Sequence, residues 1–393
     1  MSLERVPDRH EMSVAPSRRP LRVLAQPAYR NRDENPYTSL LYSHLGALDV
    51  QADEFSWHRA LFGRYDIWHL HWPESYPNKR SLPLALRQSA GLLALLSWAR
   101  RRGTRIVWTV HNLASHERVH PAIDRWFGAA FMRRVDTFVA LSEAGARLAR
   151  RRHPHLEHVP NFVVPHGHYR HAYPNTLTRA QARAELGVPE DATVVTFVGQ
   201  IRRYKNVPAL AEAFRRIQGE DLRLLIAGRP QDAAVEADVR RASGEDDRIH
   251  LHCTHLRDEE IQLPLSAANL IVLPYGEVLN SGSALLALSF DRPVLVPRRG
   301  ALEDLRRQVG DAWVRTYDGA LTPEILSAAI TWSRRARGSS APLDAFEWAR
   351  VADATRAVYS SALATGGRRV ARAHAPRRSG ISPARMEECT RAL

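Results

Sequence analysis

The stretch Thr193-Val-Val-Thr-Phe-Val-Gly-Gln-Ile-Arg-Arg-Tyr-Lys-Asn206 decides the fold. Its first six residues are β-branched or aromatic, a strand suited to burial on both faces. A glycine then ends the strand, three basic residues follow, and a helical pattern starts at 207 and runs to 217. Toward the C-terminus the same strand signal returns at 222–228, 248–253, 269–274 and 293–296. Toward the N-terminus it appears in Leu21-Arg-Val-Leu-Ala25, Ile67-Trp-His-Leu-His-Trp72, Arg105-Ile-Val-Trp-Thr-Val110 and Asp136-Thr-Phe-Val-Ala-Leu141. Short strands alternating with longer helical patterns make βαβ units, hence parallel sheets. The rhythm breaks once, in the Pro-, His- and Asn-rich stretch 160–178, so the sequence predicts an α/β protein of two tandem doubly wound, Rossmann-like domains.

The expected boundaries are a disordered N-terminus at 1–20, a first domain at 21–175, a second at 176–343, a C-terminal helix at 344–364 that closes the fold, and a disordered basic tail at 365–393. The spacer after Thr178 reads as a short helix ended by Gly187 and Pro189. The tail from residue 366 carries seven arginines against two glutamates, too polar to form a core.

Length and composition agree with this division. At 393 residues the chain exceeds one ordinary domain, and 44% hydrophobic with 25% charged residues excludes a wholly disordered or collagen-like chain. A net charge of +14 draws the protein to polyanions without choosing among them. The positive residues are scattered over both sheets and no nucleic-acid-binding motif carries them, so nucleic acid is not expected as a partner. Two cysteines support neither a disulfide framework nor a four-ligand zinc site, which favours a reducing, cytoplasmic setting. The longest apolar run, 91–99, is far short of the ~20 residues that cross a bilayer, so any membrane role is peripheral.

In open α/β sheets ligands gather beyond the carboxyl ends of the strands. Five such segments are rich in polar and aromatic residues: 29–37, 69–76, 111–117, 200–206 and 275–283. After Gly199, the residues Arg202, Arg203, Tyr204 and Lys205 meet a helix amino end, where N–H groups and cationic side chains suit a diphosphate. A merely solvated basic loop would carry the same charges. In Pro274-Tyr-Gly-Glu-Val-Leu-Asn-Ser-Gly-Ser283, Asn280 or Ser281 can cap a helix and Gly282 leaves room for a phosphate, while Glu277 could accept bonds from ribose hydroxyls. A plain N-cap and an exposed loop glutamate are the competing readings.

In the first domain, alternation along His69-Leu-His-Trp-Pro-Glu74 puts His69 and His71 on one face and Trp72 on the other, with Glu74 at the strand's exit. Trp72 could form a platform for a sugar and Glu74 could take a proton from an acceptor hydroxyl. A buried Trp anchor and a capping Glu are the structural alternatives. His111, Asn112, His116 and Glu117 add acid/base candidates after the next strand. The P-loop, dinucleotide Gly-x-Gly-x-x-Gly, Gly-x-Ser-x-Gly and His-Glu-x-x-His signatures are all absent, as is any Asp-x-Asp motif, so no metal is expected.

Tandem α/β domains with an anion-binding loop after the first strand of the second resemble the GT-B glycosyltransferases over about residues 21–364. Asn35-Pro-Tyr37, His69 to Glu74, His111-Asn-Leu with His116-Glu117, His166-Gly-His-Tyr169, Ile201 to Lys205, and Asn280-Ser-Gly282 with Ala284-Leu-Leu-Ala-Leu-Ser289 narrow the resemblance. They are similar to the bacterial β-mannosyltransferases of xanthan-type exopolysaccharide assembly. That resemblance implies GDP-mannose as cosubstrate, with no further cofactor, and inversion at the anomeric carbon. It also implies a lipid-diphosphate-linked oligosaccharide acceptor ending in glucuronic acid, met at the anionic inner face of the plasma membrane.

Retaining GT-B enzymes carry two glutamates eight positions apart, whereas here Glu277 is followed by Leu285. Gln200 and Asn206 also stand where that pattern has Arg and Gly. The reading is single displacement, with Glu74 as base and Glu117 or His111 as its alternates. The donor site is Gly199, Arg202, Arg203, Tyr204, Lys205, Glu277, Asn280, Ser281 and Gly282. The acceptor site is Asn35, Tyr37, His71, Trp72 and His116. A retaining transferase for another UDP- or GDP-sugar, a nucleotide-sugar epimerase and a nucleic-acid-binding protein are the alternatives.

Overall fold

The computed structural model describes residues 19–113 and 119–373, and the backbone alone over 365–373. The first domain carries β1 (Leu21–Gln26), α1 (Tyr37–Gly46), β2 (Val50–Glu54), α2 (Trp57–Phe62), β3 (Ile67–Leu70), α3 (Leu82–Arg101), β4 (Arg105–Val110), α4 (Pro121–Met132), β5 (Thr137–Ala140), α5 (Glu143–Arg152) and β6 (Asn161–Val163). Its six strands are parallel, in the order β2-β1-β3-β4-β5-β6. The stretch 160–178, expected as loop throughout, contributes β6 at the edge beside β5. β2, Val-Gln-Ala-Asp-Glu, is a second strand that the sequence pattern did not flag, because an edge strand with one open side need not be apolar.

The spacer helix α6 (Arg179–Glu185) starts with a reciprocal Thr178–Gln181 capping box and stops before Gly187, whose φ of +65° suits glycine. The second domain then runs β7 (Thr193–Val198), α7 (Val207–Arg215), β8 (Leu222–Ala227), α8 (Ala233–Ser243), β9 (Ile249–His252), α9 (Gln262–Ala267), β10 (Leu270–Val272), α10 (Gly282–Ser289), β11 (Val294–Pro297), α11 (Leu302–Val309), β12 (Val314–Tyr317) and α12 (Pro323–Ser333). Its parallel order is β12-β11-β10-β7-β8-β9. Every residue of β7 is buried, as a central strand between two helical layers requires. Phe197, Leu210, Phe214, Leu224, Ile226 and Leu265 form the heart of this core.

The strand order reverses between β7 and β10, and in the first sheet between β1 and β3. At such a switch point the loops on the two sides diverge and leave a crevice. The loops after β7 and β10 are 199–206 and 273–281; that after β3 holds Trp72 and Glu74.

After α12 the chain crosses back. α13 (Trp348–Ala373) packs on α1, where Trp348, Val351, Val358 and Tyr359 join Tyr37, Leu41 and Tyr42 in a core of the first domain. The helix begins at Trp348 after a single 3-10 turn at Asp344–Phe346, and continues past 364 into the segment expected to be unstructured. Once the packed turns are formed, each added residue costs little.

Candidate active site

The donor side follows from backbone geometry. Gly199 has φ +117°, and the carbonyl of Gly199 lies so close to Gly228 that a side chain there would collide with it. A Cβ on Gly199 would lie 3.4 Å from both Lys205 Nζ and Ser283 Oγ. The glycine, the lysine and the first turn of α10 therefore share one small space. Asn206, left-handed at φ +53°, turns the chain from a 3-10 turn at Arg203–Lys205 into α7. That turn folds Lys205 inward over the Phe197 ring, and burial, with Arg202 adding to it, brings its ammonium down to about 7.

The remaining donor-side residues divide. Arg202 is half-buried and donates to Gln200 Oε1 at 2.9 Å. Arg203 is turned away: its side chain is 61% exposed and faces Asp232 and Asp238 of α8 at 3.9 and 3.6 Å. The diphosphate contact expected of it is not what this geometry offers, because its guanidinium is drawn to these two carboxylates. The Tyr204 carbonyl accepts from Gly276 N–H at 2.8 Å, tying the two loops together, and its ring lies 6.2 Å from that of Tyr275. Ser281 is the cap of α10, accepting from Ala284 N–H. Glu277 is exposed at the rim.

Asn280 and Gly282 join the domains rather than standing open to a phosphate alone. Asn280 Nδ2 donates to the carbonyls of His111 and Val110 at 3.3 and 3.4 Å. A Cβ on Gly282 would come within 3.1 Å of Tyr169 Oη and 3.6 Å of His166 Nε2. The His166 ring in turn lies 4.6 Å from Tyr37, which lies 4.9 Å from His111. The loop after β10 thus abuts the loop after β4, and both halves face one crevice.

On the acceptor side Glu74 sits in a 3-10 turn at Pro73–Ser75 and accepts from Asn112 Nδ2 at 3.0 Å. Burial pushes its carboxyl up to about 7; the Asn112 bond opposes the rise and the Asp124 charge adds to it. A carboxyl at that value is half ionised at neutral pH, the setting a general base needs. It borders a cavity of about 300 Å³ lined also by Asn112, Asp124, Phe127 and His153, as well as Trp108, whose buried Nε1–H has no partner among the described residues.

Four expected acceptor contacts change character. His71 is wholly buried, bonded to Tyr42 Oη at 2.8 Å and His111 Nε2 at 3.1 Å, so it supports the crevice from behind. Strand alternation places it on one face but does not say that α1 and α13 cover that face. Tyr37 is only 2% exposed, enclosed by His71, His111, His166 and Trp348. Asn35 Oδ1 accepts from Tyr37 N–H, a local turn that opens α1. Trp72 stacks on His111 at 4.3 Å, which covers one face of the expected platform. His116 and Glu117 lie outside the described residues. Sequence reasoning missed Ser283 and the Asn112 bond to Glu74; the Asn-Ser-Gly-Ser run and the His-Asn pair were the available signals.

A model of the family described as glycosyl transferases group 1 matches residues 192–330. Over 339 residues, 86% of this chain and 91% of the relative, the sequence is 33% identical to the GDP-mannose:glycolipid 4-beta-D-mannosyltransferase of Xanthomonas campestris pv. campestris. It is 31% identical over 209 residues to D-inositol 3-phosphate glycosyltransferase 1 of Catenulispora acidiphila, covering 48% of this chain and 49% of that one. Among solved structures, sucrose-phosphate synthase from Thermosynechococcus elongatus aligns with a TM-score of 0.59 at 16% identity, over 91% of this chain and 99% of that one. Anabaena Alr3699/HepE in complex with UDP-glucose aligns at 0.55 with 14% identity, over 90% and 99% of the two chains. At those identities the two structures share the two-domain fold with this chain.

Proposed function

Because this chain belongs to the group 1 glycosyl transferases and is a GT-B glycosyltransferase, we propose that it transfers mannose from GDP-mannose to a glycolipid with inversion, forming a β-linkage. The donor class follows the relative matched along most of its length. What supports the mechanism is a buried carboxyl raised to about 7 in the first domain and a buried ammonium lowered to about 7 in the second, each beside loops that meet at Asn280 and His111. Glu74 takes the proton of the attacking acceptor hydroxyl, and Lys205 with the N–H groups of α10 receives the departing diphosphate. The carbon–oxygen bond to the acceptor forms as the bond to the diphosphate breaks. The cavity beside Glu74, with a Trp108 N–H in its wall that no described residue answers, takes the acceptor's terminal sugar. No divalent cation is needed in this scheme.

A glycolipid acceptor has to be met at a membrane. Among the described residues no helix is long and apolar enough to cross one. The surface we assign to contact is formed by α2 and the end of α3, where Trp57, Leu61, Phe62 and Trp98 are 41%, 43%, 67% and 44% exposed. Arg102 lies over Trp98 and donates to the Leu61 and Gly63 carbonyls. Leu92, Leu93 and Leu96 of the same apolar run are buried and cannot insert.

The test is thermal stabilisation by GDP, UDP, GDP-mannose and UDP-glucuronate in parallel, with and without EDTA, since a ligand bound only to the folded state raises its stability by mass action. Shifts for GDP and GDP-mannose that survive EDTA are expected. A response to the uridine nucleotides alone would replace the donor, and a response that requires magnesium would replace the leaving-group chemistry.

A further inference from the structure

Behind the crevice lies a buried line of polar groups with no catalytic assignment. Thr109 Oγ1 is 2.7 Å from His69 Nε2, and His69 Nδ1 is 2.7 Å from Tyr359 Oη and 3.0 Å from Tyr42 Oη. The two tyrosine hydroxyls converge on the same His69 nitrogen, which sets them side by side. Tyr42 Oη reaches His71 Nε2 at 2.8 Å, and His71 Nδ1 reaches His111 Nε2 at 3.1 Å. Burial holds His69 down to about 3 and keeps His71 and His111 well below the ordinary histidine value, so each ring is neutral with one N–H.

Counting hydrogens fixes the direction of the line. If it ran from His111 toward Thr109, the Thr109 oxygen would accept, and its own hydrogen would be left without an acceptor in a residue only 1% exposed. Run the other way, the one hydrogen without a partner falls at the opposite end of the line, on His111, which is only half-buried. Thr109 donates to His69 Nε2, His69 Nδ1–H to Tyr359, Tyr359 to Tyr42, Tyr42 to His71 Nε2, and His71 Nδ1–H to His111 Nε2. His111 Nε2 is then an acceptor, and its single hydrogen sits on Nδ1, for which the described residues supply no partner.

We infer that Thr109, His69, Tyr359, Tyr42 and His71 are positioning residues that hold His111 as an Nδ1–H donor toward an oxygen of the bound substrate, and so remove it from the choice of catalytic base. The ring's two nitrogens are otherwise interchangeable, and which one carries the hydrogen is set by what the other is bonded to. The inference deepens the crevice reading above, and its activity measurements rest on that reading.

The decisive measurement is independent of turnover. In full-length protein labelled with 15N-histidine, long-range nitrogen–proton correlations distinguish the two neutral tautomers, and His111→Gln assigns the signal by its loss. A protonated Nδ1 on His111 is expected; a protonated Nε2 overturns the inference even if the enzyme transfers sugar as proposed. Thr109→Val removes the first hydrogen of the line and Tyr42→Phe cuts its middle. Each should put hydrogen on His111 Nε2 in part of the population and lower kcat/KM about 5- to 30-fold, with nucleotide affinity unchanged. Thr109→Ser should restore both the tautomer and the rate. Wild-type tautomer and rate in Thr109→Val, in protein that melts normally, would also overturn it.

Discussion

On the second-domain wall of the crevice, the groups proposed to meet the donor are backbone N–H groups at the start of α10, the bare backbone of Gly199 and one buried ammonium, Lys205. On the first-domain wall are neutral rings, His111 stacked on Trp72 and His71 behind it, with the carboxyl of Glu74 beside them. On the proposed reading the first set stabilises negative charge as it develops, and the second holds in Glu74 a group able to take up a proton. The proposed mechanism thereby divides the chemistry by domain, with departure on one side and attack on the other. Each prediction below fails if that division is misplaced.

Glu74→Gln should have the largest effect, a loss of 10²–10⁴-fold in transfer, typical of removing a general base. Nucleotide affinity should be retained, because the donor groups lie on the other wall. In the wild type, the rate below pH 7 should fall about tenfold per unit as the carboxyl, raised by burial to about 7, takes up its proton. Transfer and nucleotide affinity are measured on the same preparation. Normal transfer would move the base elsewhere, and a simultaneous loss of donor affinity would make Glu74 a structural link across the crevice.

Within the donor wall, neighbouring residues should behave oppositely. Lys205→Ala removes a charge-assisted contact to the departing diphosphate and should slow turnover by tens to hundreds of fold, ~2–4 kcal/mol in the transition state. Arg203→Ala should stay within about threefold of wild type, since that guanidinium faces Asp232 and Asp238 on the outer side of α8. Steady-state rates of the two variants decide this, and a crippled Arg203→Ala beside a normal Lys205→Ala would invert the donor wall.

This contrast also marks how far the sequence could be read. The strand Thr193 to Val198, the glycine after it and the basic turn are local in sequence, so their placement at a switch point followed from alternation and composition. Which side of the 3-10 turn Arg203 and Lys205 occupy depends on Phe197 and α8, which no spacing encodes. His69 and His71 share a face by alternation, but that face is interior because α13 returns across some 290 residues of chain to put Tyr359 against His69. A contact of that separation leaves no periodic trace. β2 went unread for the complementary reason: its pattern is polar because one side has no neighbouring strand.

The smallest effect expected is also one in which a loss of function comes with a gain of stability. A carboxyl raised from 4.5 to about 7 on folding is held best in its neutral form. The stability it lends is full below the unfolded value and is lost as pH rises through the folded one. Glutamine is neutral throughout and keeps an oxygen for the Asn112 N–H, so Glu74→Gln should match the wild type near pH 4.5 and exceed it by ~3 kcal/mol above pH 8. Melting temperatures of both proteins across that range give the answer. A gap that opens with rising pH identifies a carboxyl kept on the first-domain wall at a cost to stability, as expected of a base and not of a structural cap. A variant less stable at every pH would mean that the Asn112 bond is structural and that the attacking wall has its base elsewhere.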